Sequence, residues 1–127
     1  NGYVGIGTPA PGYPLEMGSG AHVTAGGVWT NASSRALKDR IAALAPADAL
    51  AALLELEPVT YVYKADPTEP QVGFIAEDVP ALVATNDRTS LSPMDIVAVA
   101  VKVIQTQQAE LEAVRQELRE LRELLKR

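Results

Sequence analysis

Ser33 and Lys38 place a hydroxyl nucleophile five residues before a candidate amine base, on a sharp seam in composition. A serine hydroxyl attacks poorly until a base takes its proton. A lysine amine can be that base only if burial or neighbouring charge brings its pKa down from about 10.4. Such a pair needs no histidine. If a helix starts at Ser34, Lys38 projects from its first turns, where the positive end of the helix dipole disfavours a protonated amine. The free N–H groups there would stabilise an oxyanion on the carbonyl of Ala32. Nucleophile, base and oxyanion donors would then come from one short stretch. A helix cap at Ser34 or Ser33, followed by a solvated surface lysine, accounts for the same spacing without chemistry.

The elements that must position this pair differ on its two sides. Before Ser33 the only charged side chain is Glu16, and after it the only glycine is Gly73. Residues 1–32 read as short strands, Tyr3–Ile6, Leu15–Met17, Ala21–Thr24 and Val28–Thr30, punctuated by Gly and Pro. Their few large side chains cannot build an independent core, so this stem must pack on copies of itself or on chain upstream. Trp29 is expected to pack in that stem or against the first helix. From Ser34, Leu37, Ile41 and Leu44 recur at helical spacing up to Pro46, and Asp48–Leu56 continues as a second short helix closed by Pro58. Val59–Lys64 alternates as a strand, residues 66–70 read as a turn, and Val72–Ala76 is the partner strand, with Tyr61, Tyr63 and Phe74 as core residues.

From Pro93 no helix breaker occurs, and a heptad runs with a positions at Ile104, Leu111, Leu118 and Leu125 and d positions at Gln107, Val114 and Leu121. Glu110 with Arg115 and Glu117 with Arg122 occupy g and e positions, where opposite charges meet between parallel neighbours. The stripe is narrow, which suits a coiled-coil seam better than a broad core face. Val114 at d and a buried Gln107 lean away from a dimer.

The overall reading is an α+β protein in three parts: a strand- and turn-rich stem over 1–32, a small helix-and-hairpin domain over 33–92 and a coiled-coil helix over 93–127. A net charge of −5 among 127 residues leaves no basic face for nucleic acid or an anionic membrane surface. The longest apolar run, Ile96–Val101, is too short to span a bilayer. Without cysteine and with the single histidine His22, no thiolate or zinc chemistry is expected, and Glu77, Asp78 and Asp87 match no EF-hand spacing. No cofactor or metal is expected. A start at Asn1 rather than Met reads as a fragment or a processed product.

Asn31–Ile41, Pro58–Tyr63, Val72–Pro80 and the terminal heptads together resemble the intramolecular chaperone auto-processing domain. That family is found at the C-terminus of phage tailspikes, endosialidases and tail fibres, and in myelin regulatory factor. Val4–Thr8 is similar to the β-repeats that precede this domain in trimeric fibres. The resemblance implies a homotrimer that registers the upstream β-stem of its own polypeptide. It also implies a serine peptidase that cuts itself once, with Ser33 as nucleophile, Lys38 as base and Ala32–Ser33 as the scissile bond. A virion tail fibre or cell-surface fibre is the implied location. Two departures stand out: Ser34 where the family has Asp, and Glu77–Asp78 where it has Gln–Glu. The alternative function is an uncleaved trimerisation cap or adhesive tip. A hydrolase acting on outside substrates ranks last, because no second acid/base pair is present.

Overall fold

The computed structural model describes residues 2–127; Asn1 lies outside the described residues. Its contacts divide into two compact units, residues 1–42 and 43–127. The division falls beyond Lys38, so the Ser33–Lys38 stretch belongs to the strand-rich unit. Short strands, a small helix, a hairpin and a long C-terminal helix make the chain α+β.

The first unit holds one four-stranded sheet. Strands β1 (Val4–Ile6), β2 (Leu15–Met17), β3 (His22–Val23) and β4 (Trp29–Thr30) lie in sequence order. The first pair is parallel and the others antiparallel. Three-residue strands span only about 10 Å, so residues 7–14 suffice to return the chain for a parallel neighbour. The return is tight. Gly18 N donates to Ile6 O at 2.7 Å, and a Cβ on Gly18 would meet the Gly7 carbonyl oxygen at 2.5 Å. No described residue of this unit is buried, as expected of strands with so few large side chains. Trp29 is half exposed, and its indole Nε1 donates to Asn31 Oδ1 at 2.8 Å.

The helix expected from Ser34 does not form. A single 3-10 turn covers Arg35–Leu37, and the chain then runs without regular structure to Ala45. Leu37 and Ile41, which were to carry its apolar face, are 65% and 55% exposed. With nothing to bury that face, a short stretch cannot offset the cost of nucleating a helix. Arg40 at φ 50° ends any helical continuation.

In the second unit, α1 (Pro46–Glu55) opens on a proline and ends before Pro58. A hairpin follows, β5 (Val59–Tyr63) with β6 (Asp66–Gly73), closed by Lys64 and Ala65. The expected turn at residues 66–70 is therefore strand, and the tight turn lies just before it. Pairing slips there from Val62↔Pro70 to Tyr63↔Asp66, so Pro67–Glu69 bulge outward. Prolines are tolerated because a two-stranded sheet has open edges where no N–H is needed. The long helix α2 (Pro93–Leu125) has 33 residues.

The core is small and aliphatic. Ala49 and Ala52 of α1, Val99 and Val103 of α2, and Val79 and Val83 of the intervening segment are its buried residues. Alanines on α1 let the two helix backbones come close. Phe74 packs against this core as expected, joined by Leu53, Leu56, Leu91 and Ile96. Tyr63 does not: it is 60% exposed and meets Tyr61 edge to face, with ring centroids 5.4 Å apart. Alternation puts Tyr61 and Tyr63 on one face, but the hairpin is covered only near its Gly73 end.

Candidate functional site

Ser33 and Lys38 come together. Ser34, extended at φ −60° and ψ 142°, caps the 3-10 turn by accepting from Ala36 N through Oγ at 3.3 Å. The turn folds the chain back on itself, so Lys38 Nζ donates to Ser33 Oγ at 2.6 Å. This is within the reach required of a nucleophile and its base. Both side chains are exposed in the single chain. Any desolvation of the amine must therefore come from outside the residues that form the pair.

Two features expected around the pair are absent. Lys38 is not in the first turn of a helix; it is the C-cap of the 3-10 turn, and three residues carry no macrodipole of consequence. The expected row of free N–H groups is also largely used. Ala36 N donates to Ser34 Oγ, Leu37 N to Ser34 O at 3.0 Å and Lys38 N to Arg35 O at 3.1 Å. Arg35 N is left as the turn's own unengaged donor among the described residues. The helix N-terminus read from the sequence is thus replaced by a tighter loop that does the positioning with side-chain bonds.

Ala32 is held on both flanks. Asn31 accepts from the Trp29 indole, Ser33 accepts from Lys38, and Ala32 between them is half-buried. The methyl of Ala32 faces Gly20 in the β2–β3 turn. Sequence reasoning did not find Gly20, because no local pattern ties a glycine in one turn to a residue twelve positions on.

The second unit carries two further features. Met94, Val97, Val101, Ile104, Leu111, Val114, Leu118, Leu121 and Leu125 form an exposed apolar row along α2, interrupted between Ile104 and Leu111 by Gln107. Glu110, Arg115, Glu117 and Arg122 make no ion pair; those found among the described residues are Asp39–Arg40 and Glu123–Lys126. Gln107 is exposed and lines a small cleft with Pro46, Ala47 and Leu50 at the start of α1. The other feature is a clamp. Arg88, at φ 52°, donates from Nη2 to Val79 O at 2.7 Å and to Glu77 O at 3.4 Å. Asp87 accepts from Thr89 N at 3.0 Å and from the hydroxyls of Thr85 and Ser90. These bonds, the Thr89 N–H first, lower the Asp87 pKa to about 2. The clamp fixes the loop between the hairpin and α2 and was not legible in the sequence.

Among the described residues no cluster of His, Asp and Glu is placed to hold a metal ion, and no helix is long and apolar enough to cross a membrane. No curated protein and no solved structure matches the chain significantly. A family model does. Residues 33–87 match the peptidase family described as the chaperone of endosialidase, a match that begins on the serine bonded to Lys38 and ends on the clamp aspartate. The strands before it and α2 after it lie outside the matched segment. Over residues 33–87 the chain is similar to the chaperone of endosialidase family, a match that supports an intramolecular chaperone auto-processing domain there.

Proposed function

We propose that this chain is the C-terminal end of a fibre or tailspike-like protein, that three copies assemble through α2, and that each then cuts itself at Ala32–Ser33. The observation that carries this reading is the 2.6 Å contact between Lys38 Nζ and Ser33 Oγ at the first residue of the family match.

The chemistry balances with the residues present and one water. Lys38, as the neutral amine, takes the Ser33 hydroxyl proton while Oγ attacks the Ala32 carbonyl carbon. The Ala32–Ser33 C–N bond breaks, and the proton passes from Lys38 to the departing Ser33 amine. The resulting ester between Ala32 and Ser33 Oγ is hydrolysed by water, which leaves a carboxylate on Ala32 and a free hydroxyl on Ser33. A neutral amine requires a desolvated setting, which the exposed pair lacks in a single chain. Assembly supplies that cover, so cutting follows registration of the chains.

The chaperone role has a physical basis. Three chains feeding an interwoven β-stem face a large cost of closure and register, and a parallel coiled coil lowers it by aligning the chain ends. Each a or d side chain covered in the seam contributes roughly 1.5–3 kcal/mol. After the cut the stem persists because unfolding is slow, not because it is tethered. An uncleaved trimerisation cap or adhesive tip is the second reading, favoured by Ser34 at the position where the family has Asp.

A longer precursor carrying its upstream stem separates the two. Followed on denaturing gels, the wild type is expected to yield a fragment beginning at Ser33, and Ser33→Ala and Lys38→Ala each abolish it while the assembled mass is unchanged. A wild type that assembles and stays whole sinks the peptidase reading and leaves the cap.

A further inference from the structure

Gly20 stands against the bond that the proposed reaction breaks. Its φ of 93° lies in the left-handed region, and a Cβ built on it would come within 3.3 Å of Ala32 Cβ. The turn that presents it is braced on both sides. Gly20 N donates to Met17 O at 2.8 Å, and Gly20 O accepts from His22 Nδ1–H at 2.9 Å. His22 is fixed in turn by stacking on Tyr13, with ring centroids 3.7 Å apart and planes 17° from parallel. A ring stack, a side-chain bond and a backbone bond therefore hold one glycine in place.

Residue 32 has little freedom to avoid that turn. Asn31 is tied to the Trp29 indole and Ser33 to the Lys38 amine, so the chain is anchored immediately before and after it. Ala32 is half-buried while both neighbours are exposed. Its methyl is what meets the turn. A longer side chain at 32, or any side chain at 20, crowds residue 32 against the turn, and the residue that must give way carries the carbonyl that Ser33 Oγ attacks.

We propose that the β2–β3 turn forms the wall of a one-residue subsite that admits only a small side chain at position 32, with Gly20 as its specificity-determining residue. This rests on the self-cleavage reading. Gly20 touches no reacting atom; it acts by where it holds Ala32. A misplacement of about 1 Å in a reacting group lowers a rate by roughly 100-fold, and the turn leaves little slack for a branched side chain at 32, since even a Cβ at 20 would stand 3.3 Å from the Ala32 methyl. The subsite also gives the reaction a side-chain requirement on the residue preceding the nucleophile.

The test uses the longer precursor and measures the rate of the cut beside assembled mass and thermal midpoint. Ala32→Gly and Ala32→Ser are expected to cut within about threefold of the wild type, whereas Ala32→Leu slows it by about 100-fold with assembly and midpoint unchanged; Gly20→Ala, strained at φ 93°, slows the cut and lowers the midpoint as well. In Ala32→Leu a merely structural role would move the midpoint and the rate together. Should Ala32→Leu fail to assemble, Ala32→Ser against Ala32→Val carries the comparison. Equal rates for Ser and Val, or a wild-type rate for Leu, overturn the subsite and leave self-cleavage standing. A wild type that assembles but is never cut overturns both.

Discussion

The two units differ in what holds them. Residues 43–127 enclose a small core of Ala49, Ala52, Val79, Val83, Val99 and Val103, reinforced by the Arg88 and Asp87 bonds. Residues 2–42 enclose nothing; their order comes from short ladders, turns and side-chain bonds such as Lys38–Ser33 and Trp29–Asn31. The Ser33–Lys38 pair lies in the unit without a core. An intramolecular hydrogen bond typically contributes only about 1 kcal/mol net, so exposed bonds alone give this geometry little rigidity. That division of labour suits the proposed function, in which the cored unit folds in each chain and the cut waits for assembly.

Three measurements would break or sharpen this contrast. The largest effect is expected from Leu111→Asp with Leu118→Asp, which puts charges into the apolar row of α2. Native mass should fall from the assembly to a single chain, and amides of β1–β4 should lose hydrogen-exchange protection while those around Val99 keep theirs. Stem amides that stay protected in the monomer would show that the first unit needs no partner.

A smaller effect separates the units. Val83→Ala should lower the stability of the second unit by about 2 kcal/mol, whereas Ile6→Ala in the single chain should change it by less than about 0.5 kcal/mol. Denaturant unfolding of the monomeric double variant reads both. Comparable losses would mean that the stem contributes a core of its own.

The smallest effect concerns acid. The Asp87 carboxyl titrates near 2 in the folded chain, below its ordinary value of 3.8. The charged form is thus favoured by folding, and its contribution is complete above 3.8 and fades as pH falls toward 2. Asp87→Asn should lower the thermal midpoint at neutral pH, and the gap from wild type should close across that window. A constant gap would assign the loss to packing instead of charge.

Legibility followed the range of the forces involved. The strands at Leu15–Met17 and Val59–Tyr63, the helix over Pro46–Glu55 and the long α2 were readable because periodicity, prolines and glycines act within a few residues. The helix expected through Leu37 and Ile41 was not there, since a spacing states which face could be buried but not whether anything buries it. The hairpin turn fell at Lys64–Ala65 because pairing, not the prolines at 67 and 70, set the register.

The candidate site divides the same way. The sequence by itself determined the reagents: a serine and a lysine five residues apart, an alanine before the serine, and a heptad with opposite charges beside it. Only the tertiary structure decided that a 3-10 turn, and not a helix, brings Nζ to Oγ, that Gly20 closes on Ala32, and that Arg88 reaches back to Val79. Those contacts join residues by where the chain returns in space, and a return depends on the free energy of many weak bonds at once, which no local pattern records.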